Sequence, residues 1–250
     1  MKMLTCPLCN EKVKEFHKRS HLIPEWMYTN CYDEKHKTLE ISRLKQKVTK
    51  RQKGIYAQFI CRNCEKETQI FDHYASLILT DKSPDSPEYK CISKIQNNGK
   101  MAEYEIWGNI NFIKFQRFIL SIILRTQLAE KMNGQISITK KHLKNMLNLY
   151  RDNDNDDSSY PIVVYKHPEN DKHKNHVILP YINKKDGHHI IEFTGAGFIF
   201  NVYVSSHIKP QYVNSVRLKN DGSMYLIIIS FKETGLFRNT KLMIKETKNA

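Results

Sequence analysis

Cys6-Pro7-Leu8-Cys9 and Cys61-Arg62-Asn63-Cys64 are the two tetrapeptides from which the fold is read, and Ser20-His21-Leu22-Ile23-Pro24 lies between them. In a chain without a secretion signal, two CxxC pairs most often hold one tetrahedral Zn²⁺ through four thiolates. Each pair forms a tight knuckle that turns both sulfurs toward the same ion. A structural zinc contributes on the order of 10–16 kcal/mol of apparent binding energy, enough to organise a segment too polar to fold on its own core. Four thiolates also fill the coordination sphere, so this ion holds scaffold and does not itself activate water. Cys31 and Cys91 stand outside the quartet and read as free thiols.

The bulk properties bound the rest. At 250 residues, with 40% hydrophobic and 10% aromatic content, the chain has the length and composition for a sizeable core. The longest apolar stretch, residues 118–124, is bounded by Arg117 and Arg125 and reads as part of a buried helix, so no membrane span is expected. Met1 to Thr5 lacks the apolar run of a signal peptide, and the expected compartment is the cytoplasm. There, six cysteines favour metal ligation over disulfides. Forty Lys and Arg against 26 Asp and Glu give a formal charge of +14, which favours a polyanionic partner, nucleic acid first.

Along the chain, residues 1–25 read as the first knuckle and a short strand pair ending at Pro24. Lys35, Lys37, Arg43, Lys45, Lys47, Lys50, Arg51 and Lys53 then crowd one stretch, either a solvated face or a phosphate-binding arm. Gly54 breaks that pattern, and Ile55 to Ile60 alternates weakly into the second knuckle. After Cys64, Glu65, Thr68, Gln69 and Asp72 recur at helical spacing as a polar stripe, with Ile70, Phe71, Tyr74 and Leu77 as the apolar face. A helix that starts at a second CxxC is the layout of a treble-clef zinc fold. Pro84 and Pro87 mark a turn-rich linker. A deeply buried helix is expected over residues 110–131, ended by Asn133-Gly134, and another over 139–149 with Thr139 as its N-cap. Beyond the polar loop 152–159, strand-like runs at 161–165, 177–179, 189–193, 197–204 and 224–231 indicate an antiparallel sheet. The expected class is α+β: a zinc module over residues 1–80, a linker over 81–105, and a helical and antiparallel-β substrate- or partner-binding domain over 106–250.

Chemistry near the quartet would fall to His21, Glu65 and Asp72. With the zinc saturated, hydrolysis needs a second, harder cation and a base. His21 is the candidate base for a water attacking a phosphodiester. Glu65 or Asp72 is the candidate ligand for Mg²⁺ or a similar divalent ion. Each has a plainer role: His21 packs within the knuckle, and Glu65 favours the N-terminus of its helix through the macrodipole. Arg117 and Arg125, on so apolar a helix, read as structural pairing residues.

The order CxxC, SHLIP, then CxxC at a helix start resembles the HNH, or ββα-metal, nuclease superfamily. More narrowly, Ser20 to Pro24, Cys61-x-x-Cys64-Glu65 and Asp72-x-Tyr74 resemble a divergent HNH-like family of bacterial antiphage and mobile-element proteins. Phe115, Arg117, Phe118, Ser121 and Arg125 match a helical pattern of that family, and Gly197, Phe198 and Phe200 match a strand pattern. The resemblance implies a metal-dependent nuclease with His21 as general base, and DNA is favoured over RNA as its substrate. It also implies a structural Zn²⁺ on Cys6, Cys9, Cys61 and Cys64, and a regulatory partner such as an ATPase. The chain departs from the pattern where Ser20 replaces an acidic residue or histidine, and near Tyr56, where the orienting Asn would fall, so that its role is unfilled or passes to Gln58. The last ligand of the family's helix corresponds to Glu65, Asp72 or His73. Two functions stay open: an active endonuclease, or a catalytically inactive zinc-knuckle module that binds nucleic acid or a partner protein.

Overall fold

A computed structural model of the chain describes residues 3–42, 47–80, 90–95, 103–129, 136, 138–152, 156–205 and 207–234. The first knuckle is a ribbon of β1 (Leu4–Thr5) and β2 (Lys12–Val13). Its turn closes through the Cys6 amide on Glu11 O at 2.9 Å and the Asn10 amide on Cys6 O at 2.8 Å. Asn10 takes φ 66 there, the left-handed region that Asn enters more readily than most residues. A second antiparallel pair joins β3 (Ser20–His21) to β6 (Tyr56–Ala57), with His21 opposite Tyr56. Between them lie a 3₁₀ helix, Glu25–Cys31, which begins directly after Pro24, and the antiparallel pair β4 (Thr38–Ser42) and β5 (Lys47–Arg51). Helix α1 (Arg62–Leu79) starts at the second knuckle, and the Cys61 sulfur caps it by accepting from the Cys64 amide.

The buried face of α1 differs from the expected one. Cys64, Thr68, Phe71, Ala75 and Ile78 point inward, Glu65 is buried beside them, and Ile70 is 59% exposed. The face that packs is set by the cysteine knuckle and a small residue, Ala75, so a count of large apolar side chains misplaced it.

The rest of the chain is a mixed seven-stranded sheet carrying helices. Its strands are β7 (Lys90–Ile95), β8 (Tyr104–Gly108), β9 (Ile162–Lys166), β10 (Ile178–Lys185), β11 (His188–Gly195), β12 (Phe198–Tyr203) and β13 (Met224–Ile228), in the order β10-β11-β12-β9-β13-β8-β7. The expectation of a purely antiparallel C-terminal sheet needs correcting: β13 pairs β9 in parallel, Ile227 beside Tyr165. The β10–β12 meander separates these strands in sequence, so no hairpin forces them antiparallel. The sheet also takes in β7, from the stretch expected as a linker, and β8. In β8 the buried Glu105, paired with Lys166 at 3.1 Å, hides the strand period. Pro84, Pro87 and Asn133-Gly134 lie outside the described residues.

Helix α2 (Phe112–Leu128) covers the sheet, with thirteen of its seventeen residues buried. It therefore sits in protein on every side, and no described helix is long and apolar enough to cross a membrane. Asn111 caps it through Oδ1 to the Lys114 amide. Helix α3 (Lys140–Arg151), capped by Thr139 as expected, returns toward the first knuckle, where Arg151 Nε donates to Leu8 O at 2.7 Å. The N-terminal segment and the body share one core, which runs from Cys6, Leu8, Leu22 and Ile23 through Phe118 to Phe200 and Leu226. Trp26 stacks near Phe118 with ring centres 6.0 Å apart. Met27 lies on Gly195 so closely that a Cβ there would come within 2.3 Å of its methyl carbon. Each fully buried side chain of this size contributes roughly 1.5–3 kcal/mol.

Candidate functional site

The four cysteines predicted as ligands come together. Cys6 Sγ lies 3.8 Å from Cys64 Sγ, Cys9 Sγ lies 3.8 Å from Cys61 Sγ, and all four sulfurs fall within 4.8 Å of one another. A tetrahedron of sulfurs about 2.3 Å from a central zinc has edges of about 3.8 Å, so the cluster has the size of a Zn(Cys)₄ site. A disulfide would need the sulfurs about 2.05 Å apart, and all four thiols are free. The Cys61 amide donates to Cys6 Sγ at 3.3 Å and the Cys64 amide to Cys61 Sγ at 3.5 Å, the kind of backbone support that orients thiolate ligands. The hydrogen bond between the Cys6 and Cys64 sulfurs, against the opposing effect of burial, holds Cys6 down to about 4, while the same bond and burial push Cys64 up. Four cysteines so close can bind a structural metal ion such as zinc.

His21 sits on β3, half-buried, with Nε2 3.4 Å from Glu25 Oε2. The two are neighbours because Pro24 turns the chain into the 3₁₀ helix and brings residue 25 back beside residue 21. Glu25 is itself fixed: its carboxylate accepts from the Gly54 amide at 3.1 Å and from the Tyr32 hydroxyl. Only glycine fits at 54, since a Cβ there would lie 2.7 Å from Tyr28 Cε2 and 2.9 Å from Glu25 Oε2. Sequence reasoning missed Glu25. The signal was available in the i, i+4 spacing from His21 across a proline turn.

Glu65, in the first turn of α1, is buried, and its Oε2 has no hydrogen-bond partner. A buried carboxylate oxygen without a donor is costly, which marks the position as one that a bound cation would satisfy. Asp72, two turns on, has both oxygens taken: Arg125 Nη1 and Nη2 donate to Oδ2 and Oδ1, each at 2.9 Å. Burial pushes the Asp72 carboxyl up, Arg125 pulls it down, Glu65 pushes it up and His21 pulls it down. The three predicted residues therefore share one electrostatic neighbourhood. They do not close into a ligand cluster, because among the described residues only the cysteine quartet brings three or more metal-capable side chains within 4.8 Å.

Other sequence candidates have plainer places. Ser20 is fully buried with an unpartnered Oγ. Tyr56 faces His21 edge-on at 6.3 Å, and Gln58 turns away to Phe16 O at 3.3 Å. His73 is exposed. Arg117 and Arg125 are structural, as expected: Arg117 Nη2 donates to Arg151 O at 3.1 Å. Cys31 is a free thiol that burial pushes up to about 11, and the Cys91 side chain lies outside what is described. His167 and His176 pack around Phe231 and each turns Nδ1 to a backbone carbonyl. No family model, no curated protein and no solved structure matches the chain.

Proposed function

We propose that the chain is a metal-dependent endonuclease of the HNH-like type, hydrolysing phosphodiester bonds with His21 as general base. In this reading residues 1–80 form a treble-clef, ββα-metal module: the quartet holds zinc, β3 and β6 are its strand pair, and α1 is its helix. One observation carries the reading, the His21–Glu25 pair. A carboxylate anchored by two other donors orients a half-exposed imidazole, the base-and-orienter geometry of acid–base catalysis.

In the tautomer that keeps the proton on Nε2, the nitrogen 3.4 Å from Glu25 Oε2, Nδ1 carries the lone pair and accepts the proton of the attacking water. The Glu25 carboxylate then stabilises the imidazolium that forms. Glu65 would hold a divalent cation such as Mg²⁺, while Asp72, with both oxygens on Arg125, would act on it only through its charge. Such an ion supplies charge stabilisation on the phosphate, and Mg²⁺ is commonly held by one or two carboxylates plus substrate oxygens and water. The +14 formal charge favours a polyanionic substrate, and an ATPase partner would gate the activity. A second reading has its own support in the Arg125 clamp on Asp72: a zinc-knuckle module that binds nucleic acid or a partner protein without cutting it.

Digestion of plasmid DNA with Mg²⁺, Mn²⁺ or Ni²⁺, by wild type and by His21→Ala, tests the proposal. His21→Ala is expected to slow cleavage by roughly 10²–10⁴-fold. Cleavage indifferent to that change sinks the base assignment. Salt-sensitive DNA binding without cleavage by any metal favours the binding module.

A further inference from the structure

We infer that the ribbon β4–β5 is a docking element for B-form duplex DNA and enters its major groove. The inference rests on the nucleic-acid substrate proposed above and names its form. Between residues 35 and 53 the sequence has eight Lys and Arg against the single carboxylate Glu40, so seven of the fourteen net positive charges fall in this stretch. Glu40 is neutralised in place by Arg51. Lys35, Lys50 and Lys53 are exposed, and Leu39, opposite Lys50 in the register, is 62% exposed. An exposed leucine beside a lysine on a two-stranded ribbon suits a groove floor, where thymine methyl groups offer apolar contact and the rims offer phosphates.

Shape selects the nucleic acid. A two-stranded ribbon fits the B-DNA major groove, about 12 Å wide, whereas the major groove of A-form RNA is deep and narrow. The ribbon is also rigidly rooted at the proposed catalytic pair. At its entry Asp33 Oδ1 accepts the Lys35 and Lys37 amides at 3.0 and 2.8 Å, and the Tyr32 and His36 rings stack with centres 4.0 Å apart. Tyr32 donates to Glu25 at that root, and the Gly54 amide donates to the same carboxylate at the exit. One side chain therefore pins both ends of the ribbon and contacts His21, so DNA held on the ribbon is held at a fixed offset from the base.

Fluorescence anisotropy tests this with a labelled DNA duplex two helical turns long, and with duplex RNA or single-stranded DNA as competitors. The zinc-loaded full chain carries His21→Ala and is assayed without added Mg²⁺, Mn²⁺ or Ni²⁺, so that no probe is cut. The ribbon variant adds Lys35→Ala, Lys37→Ala, Lys50→Ala and Lys53→Ala. A matched control instead adds Lys66→Ala, Lys141→Ala, Lys172→Ala and Lys232→Ala, four exposed lysines elsewhere. Zinc content and melting temperature establish that both are folded. The ribbon variant should bind at least tenfold more weakly and lose about 3–4 from the slope of log K against log salt, about 0.9 per phosphate contact. The control should lose markedly less, and neither competitor should match duplex DNA. Equal losses in the two variants, or equal competition by either alternative strand form, overturns the inference. Because the probe is never cut, this result is separate from the plasmid assay: binding without cleavage by wild type would count against the nuclease reading alone.

Discussion

Replacing Arg125 with Met probes the joint between the helix that carries Glu65 and the body of the protein. Arg125 is 1% exposed in its side chain, and its guanidinium makes two 2.9 Å bonds to Asp72, whose side chain is 13% exposed. It also reaches Ser121 O at 3.3 Å and Ser121 Oγ at 3.1 Å. Met fills much of the same volume but leaves Asp72 without its countercharge. Breaking a buried pair from one side costs about 3–5 kcal/mol. The partial exposure of Asp72 puts the expected loss near the lower end, about 3 kcal/mol, or roughly 150-fold in the folding equilibrium. The pH dependence supplies a sign. Burial already pushes the Asp72 carboxyl up against the pull of Arg125. Without Arg125 the folded-state value rises further above the unfolded one, near 3.9. The folded state then takes up the proton first, so stability is regained as pH falls through the raised folded value toward the unfolded one. The recovery amounts to at most about 1.4 kcal/mol per pH unit in that window. Urea denaturation at pH 7 and pH 5 measures both quantities. Asp72→Asn added to Arg125→Met should be milder than Arg125→Met alone. A loss below about 1 kcal/mol at pH 7, or one that deepens on acidification, refutes the account.

Three other outcomes follow from the geometry. Purified protein should carry one zinc per chain by elemental analysis, and Cys64→Ser should lose most of it and unfold residues around the knuckles by near-UV circular dichroism; a stable, metal-free wild type with four reactive thiols would contradict this. Gly54→Ala should cost about 1–3 kcal/mol in thermal denaturation through overpacking against Tyr28, and should reduce any His21-dependent cleavage more than DNA binding, because it displaces Glu25. Burial pushes His176 down to about 4, so the folded state resists a proton that the unfolded chain accepts near 6.5. Stability should therefore fall as pH drops from 6.5 to 4, by up to about 3 kcal/mol, and His176→Leu should flatten that slope in urea titrations.

The metal quartet was legible because spacing alone specifies it: two CxxC pairs can converge only if the chain between them folds back. The helix at the second knuckle, the buried helix after residue 110 and the strands after residue 160 were legible from period and caps. Strand β8 was not, because Glu105 is buried against Lys166 and reads as a solvent-facing residue. The parallel pairing of β13 with β9 was not, because both strands are apolar runs that carry no record of direction. Glu25 was missed for a different reason. Its role comes from the Gly54 amide and the Tyr32 hydroxyl, partners that lie 29 and 7 residues away along the chain. The sequence also left open whether Asp72 faces a metal or a guanidinium, since an Asp–Arg pair between two helices has no local signature.

How the candidate site is held bears on what it can do. Its strand pairs, β1–β2 and β3–β6, have two residues per strand, far below what stands alone in water. Two sets of contacts fix them. On one side is the cysteine cluster, which joins the first knuckle to α1. On the other is the body: Arg151 on Leu8 O, Trp26 against Phe118, Met27 against Gly195, and Arg125 on Asp72. The 3₁₀ helix that supplies Trp26 and Met27 to this packing also supplies Glu25 to His21. A displacement of the sheet or of α2 would therefore reach the His21–Glu25 pair through one rigid turn. In the proposed function the C-terminal body is thus more than a substrate- or partner-binding appendage. On that reading a partner that shifts α2 or the end of β11 at Gly195 has a direct mechanical route to the proposed base, without touching the cysteine cluster.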